Sequence, residues 1–330
     1  MTLFDAYVFV DGSAANAPTG LRPRADALWL GVRRGRATER YHPTRAAAFV
    51  DLGATLVRWS AAGLRVLVGY DLPLGAARGL ADALGLAGPA PAWRRFWSHL
   101  AGALVDGDDN RSNRWAVASA MNARLVAAPR ATPARCAAPI GPFWGCPRSV
   151  ETATLRSRKI EHGLSFPFRA RSGHRLAEWR ATDAAVRDAG LRSIRSGFQL
   201  FGHGSVGSQA LVCVPRIARL RDDPRLAARS RVWPFETGFV ADPTVGVRGA
   251  VVHVEGWPGL HATAVARALT ADPSAIRDRL QVRAWCAWAC REDRAARLGA
   301  HFERPAELSE RAARDAIEEE GWILGVRKPG

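Results

Sequence analysis

Two aspartates, each at the end of a short apolar segment, are the residues of this sequence that most clearly indicate chemistry. Asp11 follows an apolar run at residues 7–10, and Asp71 follows a second run at residues 65–70. Short apolar runs that end in turn residues are typical of buried strands. Carboxylates gathered at strand ends can bind a divalent cation, and such hard oxygen ligands favour Mg²⁺ or Mn²⁺.

The segments around these aspartates predict the order strand, strand, strand, helix, strand. The three elements between them are a strand at residues 26–33, a strand at 38–42 after a turn at 34–35, and a helix at 43–62. A helical crossover after three antiparallel strands places the fourth strand parallel to the first and beside it. Asp11 and Asp71 are then expected at the same edge of the sheet. This order predicts an α/β fold with a ribonuclease H-like mixed sheet.

The rest of the chain predicts a core interrupted by a long insertion. Residues 1–75 and 201–330 form the predicted core, and residues 76–200 form a helical or irregular insertion packed on it. Within the insertion, the predicted elements are helices at 76–86, 93–105 and 113–127 and a Pro-rich loop at 129–147. After it, they are a helix at 208–221 that Pro215 interrupts early, strands at 231–237 and 250–255, and helices at 264–269, 273–294 and 309–320.

A nuclease site on such a sheet needs a further acid besides the first pair. Ribonuclease H-like enzymes hold two divalent ions, which activate the attacking water and stabilise the leaving oxygen. The available acids are Glu236 or Glu255 near the later strands and Asp278 on a late helix. We predict Asp11, Asp71 and Glu236 as catalytic residues, and the same three with Asp278 as metal ligands. The alternative is that Asp11 and Asp71 only cap turns, which aspartate commonly does.

Six residues are predicted to contact a phosphate-bearing substrate: Ser13, Arg111, Arg114, Gly204, Ser205 and Gln209. Residues 202–207 read GHGSVG and precede a helix, where free backbone N–H groups can face an anion. The same glycine spacing occurs in dinucleotide-binding turns, but no clear strand precedes it here. A purely structural turn is the competing interpretation. Arg111 and Arg114 are forked donors suited to phosphate, or else solvated surface residues.

The overall charge is compatible with a polyanionic partner. The chain has 47 basic and 31 acidic residues, which gives a formal charge of +16. Such an excess attracts phosphates, although an arginine-rich solvated surface explains it equally well. We expect the partner to be nucleic acid or a phosphate-bearing small molecule. No apolar stretch approaches the length of a membrane span, and the first residues lack the basic start of a signal peptide, so we expect a cytoplasmic protein without a membrane partner.

Motifs along almost the whole chain carry a resemblance to a known family. They are VDGSA at residues 10–14, DALW at 26–29, GYDLPLG at 69–75, residues 110–122, GSVGSQ at 204–209, VWPFETG at 232–238 and EGWILG at 320–325. The chain resembles a family of bacterial proteins described as predicted nucleases with a ribonuclease H fold. Some members carry a label that ties them to molybdopterin guanine dinucleotide synthesis. The resemblance implies this fold and a metal-dependent nuclease activity.

The sequence departs from the pattern of these relatives at two places. Gly12 stands where they tend to have tryptophan, and the last helix pairs Asp278 with Gln281 where a resolvase-like branch has two acids. The missing acid implies a one-metal site, a substitute ligand such as Glu236, or lost catalysis. Two other functions remain open. One is a nucleotide-handling enzyme on a related actin-like or kinase-like fold, and the other is a non-catalytic binding protein.

Overall fold

A computed structural model describes residues 2–127, 141–159, 166, 168, 169, 172–191 and 193–327. The strands are β1 (Ala6–Asp11), β2 (Leu28–Arg34), β3 (Arg36–His42), β4 (Val66–Tyr70), β5 (Val126–Ala127), β6 (Phe168–Arg169), β7 (Ser230–Val232) and β8 (Val251–Glu255). Six of them form one mixed sheet in the order β3-β2-β1-β4-β8-β7, and β5 and β6 pair separately. Part of the predicted loop at 129–147 lies outside the described residues.

Ten α-helices accompany the strands in this described part of the chain. They are α1 (Arg45–Ala61), α2 (Leu80–Ala83), α3 (Ala92–Ala103), α4 (Arg114–Arg124), α5 (Ala181–Asp188), α6 (Val206–Arg221), α7 (Ala262–Ala271), α8 (Arg277–Arg294), α9 (Leu298–Phe302) and α10 (Glu310–Asp315). A π-helical turn, Ala316–Glu320, continues α10, and short 3₁₀ turns span Arg148–Val150 and Pro258–His261. None of the described helices combines the length and the apolar character needed to cross a lipid bilayer.

The pairing of the strands confirms the predicted α/β fold and the predicted neighbours of β1. β2 is antiparallel to both β1 and β3, whereas β1, β4, β8 and β7 run parallel to one another. β2 is therefore antiparallel to the other five strands of the sheet. β1 and β4 are joined by α1 as a crossover, so their carboxyl ends meet at one edge.

The sheet separates two apolar cores. On one face, Val8 and Val68 pack in a cluster that includes side chains of α1, α3 and α6. On the other face, Phe9 and Leu67 pack in a cluster with side chains of α8 and the C-terminal segment. Every side chain of β1 and β4 is buried, because adjacent residues of a strand point to opposite faces and both faces are covered.

Residues 76–200 pack against the same core as the central strands. Trp97 of α3 is fully buried in the cluster that contains Val8, and its indole N–H donates to the carbonyl of Leu74 at 2.7 Å. Of the helix predicted at residues 76–86, only α2 (Leu80–Ala83) is helical. The amide of Ala76 donates instead to the carbonyl of Glu319 at 3.1 Å, which ties this segment to the C-terminal π-helical turn.

The prediction that Pro215 interrupts its helix early is wrong. α6 continues through Pro215 to Arg221. A proline in a helix interior costs about 3 kcal/mol. Val212, Val214 and Ile217 of the same helix are almost completely buried, and each such burial stabilises by about 1.5–3 kcal/mol. Packing therefore outweighs the local cost of proline.

The strand predicted at 231–237 ends much earlier than expected. β7 stops at Val232, the Trp233–Pro234 peptide bond is cis, and the amide of Glu236 donates to the carbonyl of Val232 at 2.8 Å. The backbone turns at this point, since the amide of Trp233 still donates to the carbonyl of His253 in β8 whereas that of Glu236 donates within its own segment. Glu236 therefore lies in a turn beyond the sheet rather than at a strand end.

We expect Gly31→Ala to loosen α8 from the sheet. A Cβ atom on Gly31 would lie 2.6 Å from the carbonyl oxygen of Val282 in α8, so the helix has to move. Such overpacking costs about 1–3 kcal/mol. Chemical denaturation should show this loss, whereas Gly102→Ala, in an open position of α3, should leave stability unchanged or raise it. Equal stability of the two variants would contradict this close approach.

Candidate functional site

The carboxyl ends of β1 and β4 bring Asp11 and Asp71 to one edge of the sheet. Val10 is the register partner of Tyr70, and the amide of Asp71 donates to the carbonyl of Val10 at 2.9 Å. Asp11 is only 6% exposed, and Asp71 is partly buried. The two side chains face one large cleft of about 1090 Å³. The location expected from strand order is therefore the location observed.

Two further aspartates line this cleft. Asp278 comes from the first turn of α8, and its Oδ2 accepts the amide N–H of Asp26 at 2.7 Å. Asp26 precedes β2 and has a φ of 56°, a left-handed conformation that is uncommon outside glycine. This conformation accompanies the contact that links the two segments. Gln281 lines the same cleft one turn beyond Asp278.

The carboxylates of the cleft repel one another. Burial raises the pKa of Asp11 well above its ordinary value, and the nearby Asp71, Asp278 and Asp26 raise it further. Burial, with Glu255 and Asp278 nearby, raises the pKa of Asp71 to about 7. No arginine, lysine or histidine of the described chain forms an ion pair with Asp11, Asp71 or Asp278. These three aspartates therefore have no ion-pair partner among the described residues.

Glu255 ends β8 beside this pair, but its charge is already neutralised. Arg180 donates to both carboxylate oxygens of Glu255, at 2.6 and 2.7 Å, and the amide of Leu74 donates to one of them at 3.0 Å. The same guanidinium contacts Asp183 at 2.9 Å. All three charged side chains are nearly inaccessible to solvent. The Glu255 carboxylate therefore lies near the cleft, but its oxygens already accept hydrogen bonds from Arg180 and Leu74.

The structure does not bring Glu236 to the cleft. Its carboxylate pairs with Arg221 at 2.5 Å and accepts the amide N–H of Val232 at 2.8 Å. It does not line the cleft that contains Asp11 and Asp71. The expectation that Glu236 completes the acidic site fails because β7 ends before it and α6 supplies a counter-charge.

The loop after Asp11 is held by a buried arginine of α1. Arg45 is inaccessible to solvent, pairs with Asp106 at 2.5 Å, and donates to the carbonyls of Ser13 and Ala15 at 3.0 and 2.8 Å. The Ser13 hydroxyl in turn donates to the carbonyl of Asp26 at 3.1 Å. Ser13 therefore connects the segments that carry two of the acids, and it also lines the cleft.

The predicted substrate residues divide into those that line the cleft and one that does not. Ser13, Arg114, Gly204, Ser205 and Gln209 all line it. Gln209 donates to the carbonyl of Gly12 at 2.6 Å, so its amide nitrogen positions the loop after β1.

Arg111 stands apart from these residues. Its side chain is 81% exposed, pairs with Asp109 at 3.3 Å, and does not line the cleft. The clamp role predicted for it is not supported, because its charge already has a partner outside the cleft.

The glycine-rich segment uses most of its helix-terminal donors within the protein. The amides of Val206 and Ser208 donate to the carbonyls of Gly204 and Ser205, and that of Gly207 donates to Gln199. A Cβ atom on Gly207 would lie 2.4 Å from the carbonyl oxygen of Gly197, so close packing explains this glycine. The first turn of α6 is therefore mainly structural, and any anion contact falls to the preceding residues.

Asp26 and Arg180 are site residues that sequence reasoning did not assign. Asp26 was interpreted as the start of a strand, but the strand begins at Leu28 and leaves Asp26 in the cleft. Its position directly before an apolar strand that pairs with β1 was the available signal. Arg180 lies in residues 76–200, and no local pattern indicates that it meets Glu255, which is 75 positions away.

The oxygen donors of Asp11 and Asp71 fit a hard divalent cation, because buried like charges are relieved by a cation between them. Within the described ranges, no three His, Cys, Asp or Glu side chains are grouped so as to enclose a metal ion. Mg²⁺ is commonly held by one or two carboxylates, with water and substrate phosphate as its other ligands. Asp11 and Asp71 thus match a site in which the protein supplies two carboxylates and water or phosphate supplies the other ligands.

Comparison of the chain with protein families, curated proteins and solved structures found no match. The function is therefore inferred from the geometry and charges of the cleft.

We expect Asp71→Asn to stabilise the protein at alkaline pH more than at acidic pH. Asp71 binds its proton more tightly in the folded state than in the unfolded chain, where the pKa is about 3.9. Its contribution to stability is therefore present at low pH and is lost as the pH rises through about 7. Thermal unfolding at pH 5 and pH 8 without divalent cations should show a gain in melting temperature for the variant that is a few degrees larger at pH 8 than at pH 5.

The matched control is Asp108→Asn, which changes an exposed aspartate outside the cleft. Its melting temperature should follow that of the wild type at both pH values. An identical shift of Asp71→Asn at pH 5 and pH 8 would show that Asp71 has no raised pKa.

We expect Arg180→Met to cost about 3–5 kcal/mol of stability, because it leaves the buried Glu255 without a partner. The double variant Arg180→Met/Glu255→Met should recover part of this loss, since Glu255 no longer carries a buried unpaired charge whereas Asp183 still does. Denaturant unfolding measures both effects, with Arg58→Met, on the exposed face of α1, as control. A single variant as stable as the control would contradict the assigned neutralising contact.

Proposed function

We propose that this protein is a Mg²⁺- or Mn²⁺-dependent phosphodiester hydrolase on a ribonuclease H-like fold. The observation that carries the proposal is a set of uncompensated carboxylates, those of Asp11, Asp71 and Asp278, that face one cleft at the carboxyl edge of the sheet. Structural acids are normally paired or solvated, whereas acids with strongly shifted pKa values in a cleft are typical of functional sites.

The strand arrangement supports the fold part of this proposal. In a ribonuclease H-like core the second strand runs against its neighbours, and acids from the first and fourth strands share an edge. The order β3-β2-β1-β4-β8, with β2 antiparallel, agrees with this arrangement. The motifs that resemble the predicted-nuclease family include both acids, in VDGSA and GYDLPLG.

Asp11 and Asp71 would hold the cation. A bound divalent cation would polarise a phosphoryl oxygen and promote attack by water. Asp278 belongs to the opposite wall, where Oδ2 is held by the amide of Asp26. Burial raises the pKa of Asp278, which makes its carboxylate a better proton acceptor for the attacking water.

Arg114 would bind the phosphate at the other side of the cleft. Its guanidinium lies 4.3 Å from the ring centre of Trp115 and is oriented by Asn16 at 2.9 Å. The positive charge of Arg114 would attract a phosphate that the nearby acids would otherwise repel. A cation held by Asp11 and Asp71 would attract the same phosphate.

Hydrolysis is favoured over nucleotide-dependent transfer by the state of the glycine-rich segment. A nucleotide-binding turn would need the first amides of α6 for phosphate, but those of residues 206–209 donate to carbonyls of the protein. The acids, in contrast, have free oxygens toward the cleft. The site is therefore better suited to a cation and a phosphodiester than to a dinucleotide pyrophosphate.

We expect Asp11→Asn and Asp71→Asn each to lower Mg²⁺- or Mn²⁺-dependent hydrolysis of bis(p-nitrophenyl) phosphate by about 100-fold or more. Loss of even an outer partner of a metal ligand costs about 10–100-fold. Calorimetric titration with Mn²⁺ should also show weaker binding in both variants, which separates metal binding from turnover. Asp108→Asn should hydrolyse and bind as the wild type does.

Affinity for Mn²⁺ should rise between pH 6 and pH 8, because protons on Asp11 and Asp71 compete with the metal. Unchanged hydrolysis in both variants, or metal binding that is insensitive to them, would exclude Asp11 and Asp71 as the metal site.

A further inference from the structure

An exposed aromatic ring borders the acidic cleft. Phe201 is 50% accessible to solvent and lines the cleft together with Asp11 and Asp71. In the described part of the chain, it is the one aromatic among the large apolar side chains that are exposed. Trp115, which also lines the cleft, contacts it in an edge-on arrangement, with ring centres 6.2 Å apart. The ring is thus held in place while one side remains open.

Three arginines of the cleft have no acidic partner. Arg24 and Arg277 are exposed cleft residues, and neither forms an ion pair with a described residue. Arg114 is only 5% exposed, and its Nε has no hydrogen-bond acceptor in the described chain. Burial and the nearby Arg45 lower the pKa of Arg114 to about 10. A buried cation without a carboxylate is costly unless an anion reaches it.

These arginines lie on opposite walls. Arg277 opens α8, and Arg24 lies in the segment joined to α8 through Asp26 and Asp278, on one face of the sheet. Arg114 opens α4, which packs with α6 on the other face. The acids lie between them at the sheet edge. A chain of phosphates that crosses the edge can meet arginines on both walls.

The size of the cleft agrees with a polymer. Its volume of about 1090 Å³ exceeds the range of about 300–1,000 Å³ that is usual for small-molecule sites. Grooves for single strands combine basic side chains along the backbone with aromatic rings that stack on bases. A duplex keeps its base faces inside the helix, so Phe201 would find no base face on it.

We propose that the cleft binds single-stranded nucleic acid, with a base stacked on Phe201 and phosphates contacted by Arg24, Arg114 and Arg277. This inference rests on the proposed function, because the bound nucleic acid would be the substrate whose phosphodiester bond lies at Asp11 and Asp71. Strand binding itself requires no hydrolysis.

The test is fluorescence anisotropy of labelled oligothymidylate and oligouridylate with the full chain in EDTA, with a duplex of the same length for comparison. Phe201→Ala should weaken binding of a single strand about 5- to 150-fold, the effect of losing one base stack. Val245→Ala, which trims another exposed apolar side chain outside the cleft, should bind as the wild type does. The two oligomers distinguish DNA from RNA as the preferred strand.

Salt dependence tests the arginines. Arg24→Gln and Arg277→Gln should each reduce the slope of log affinity against log salt by about 0.7, the value for one phosphate contact with a single strand. Arg219→Gln, at an exposed position of α6 outside the cleft, should leave the slope unchanged. These three arginines are on the surface, so their loss should not unfold the protein.

The outcomes separate this inference from the proposed hydrolase activity. Strand binding that depends on Phe201, without metal-dependent hydrolysis of any phosphodiester, would support the inference and remove the proposed function. Hydrolysis of bis(p-nitrophenyl) phosphate without strand binding would do the reverse. Binding that is equal in Phe201→Ala and the wild type, or a preference for the duplex, would overturn the inference.

Discussion

The parallel pairing of β1 with β4 forces two like charges together, and the rest of the site follows from this constraint. The register of Val10 with Tyr70 leaves Asp11 and Asp71 as neighbours at the sheet edge. Neither has an ion pair among the described residues, so burial raises the pKa of both; Asp71 raises that of Asp11 further, and Glu255 and Asp278 raise that of Asp71. Such a pair stores unfavourable electrostatic energy that a divalent cation would remove. The strand pairing that stabilises the fold thus also brings together the two acids of the proposed cation site.

The third parallel strand adds another acid beside this pair, and one buried arginine limits its effect. Glu255 ends β8 beside Tyr70, but Arg180 binds both of its oxygens. Arg180 also donates to the backbone carbonyl of Glu320 at 3.0 Å. One guanidinium therefore joins the end of the sheet, the long segment 76–200 and the C-terminal turn. The segment between the two halves of the core has an electrostatic role as well as a packing role.

Arg114 and the acids of the cleft come from different layers of the molecule. The acids come from the strand ends and the first turn of α8, whereas Arg114 comes from α4 on the other face of the sheet. Among the described residues, no ion pair joins Arg114 to these acids. The acids therefore remain available to a cation and Arg114 to a phosphate, as the proposed function requires.

Much of this site could be predicted from the sequence, because its central pair depends on local pattern and strand order. The apolar runs before Asp11 and Asp71, the turn residues after them and the helical crossover between them determine which strands are neighbours. The roles of the other acids could not be predicted in this way. Glu236 and Glu255 look equivalent along the chain, yet one pairs with Arg221 in a turn and the other with Arg180 at a strand end. Asp26 and Phe201 acquire their roles through partners that are distant in sequence. The sequence by itself determined the positions of the two acids, since backbone pairing follows from local periodicity. Only the tertiary structure decided which charges remain free, because that depends on which side chains meet across layers.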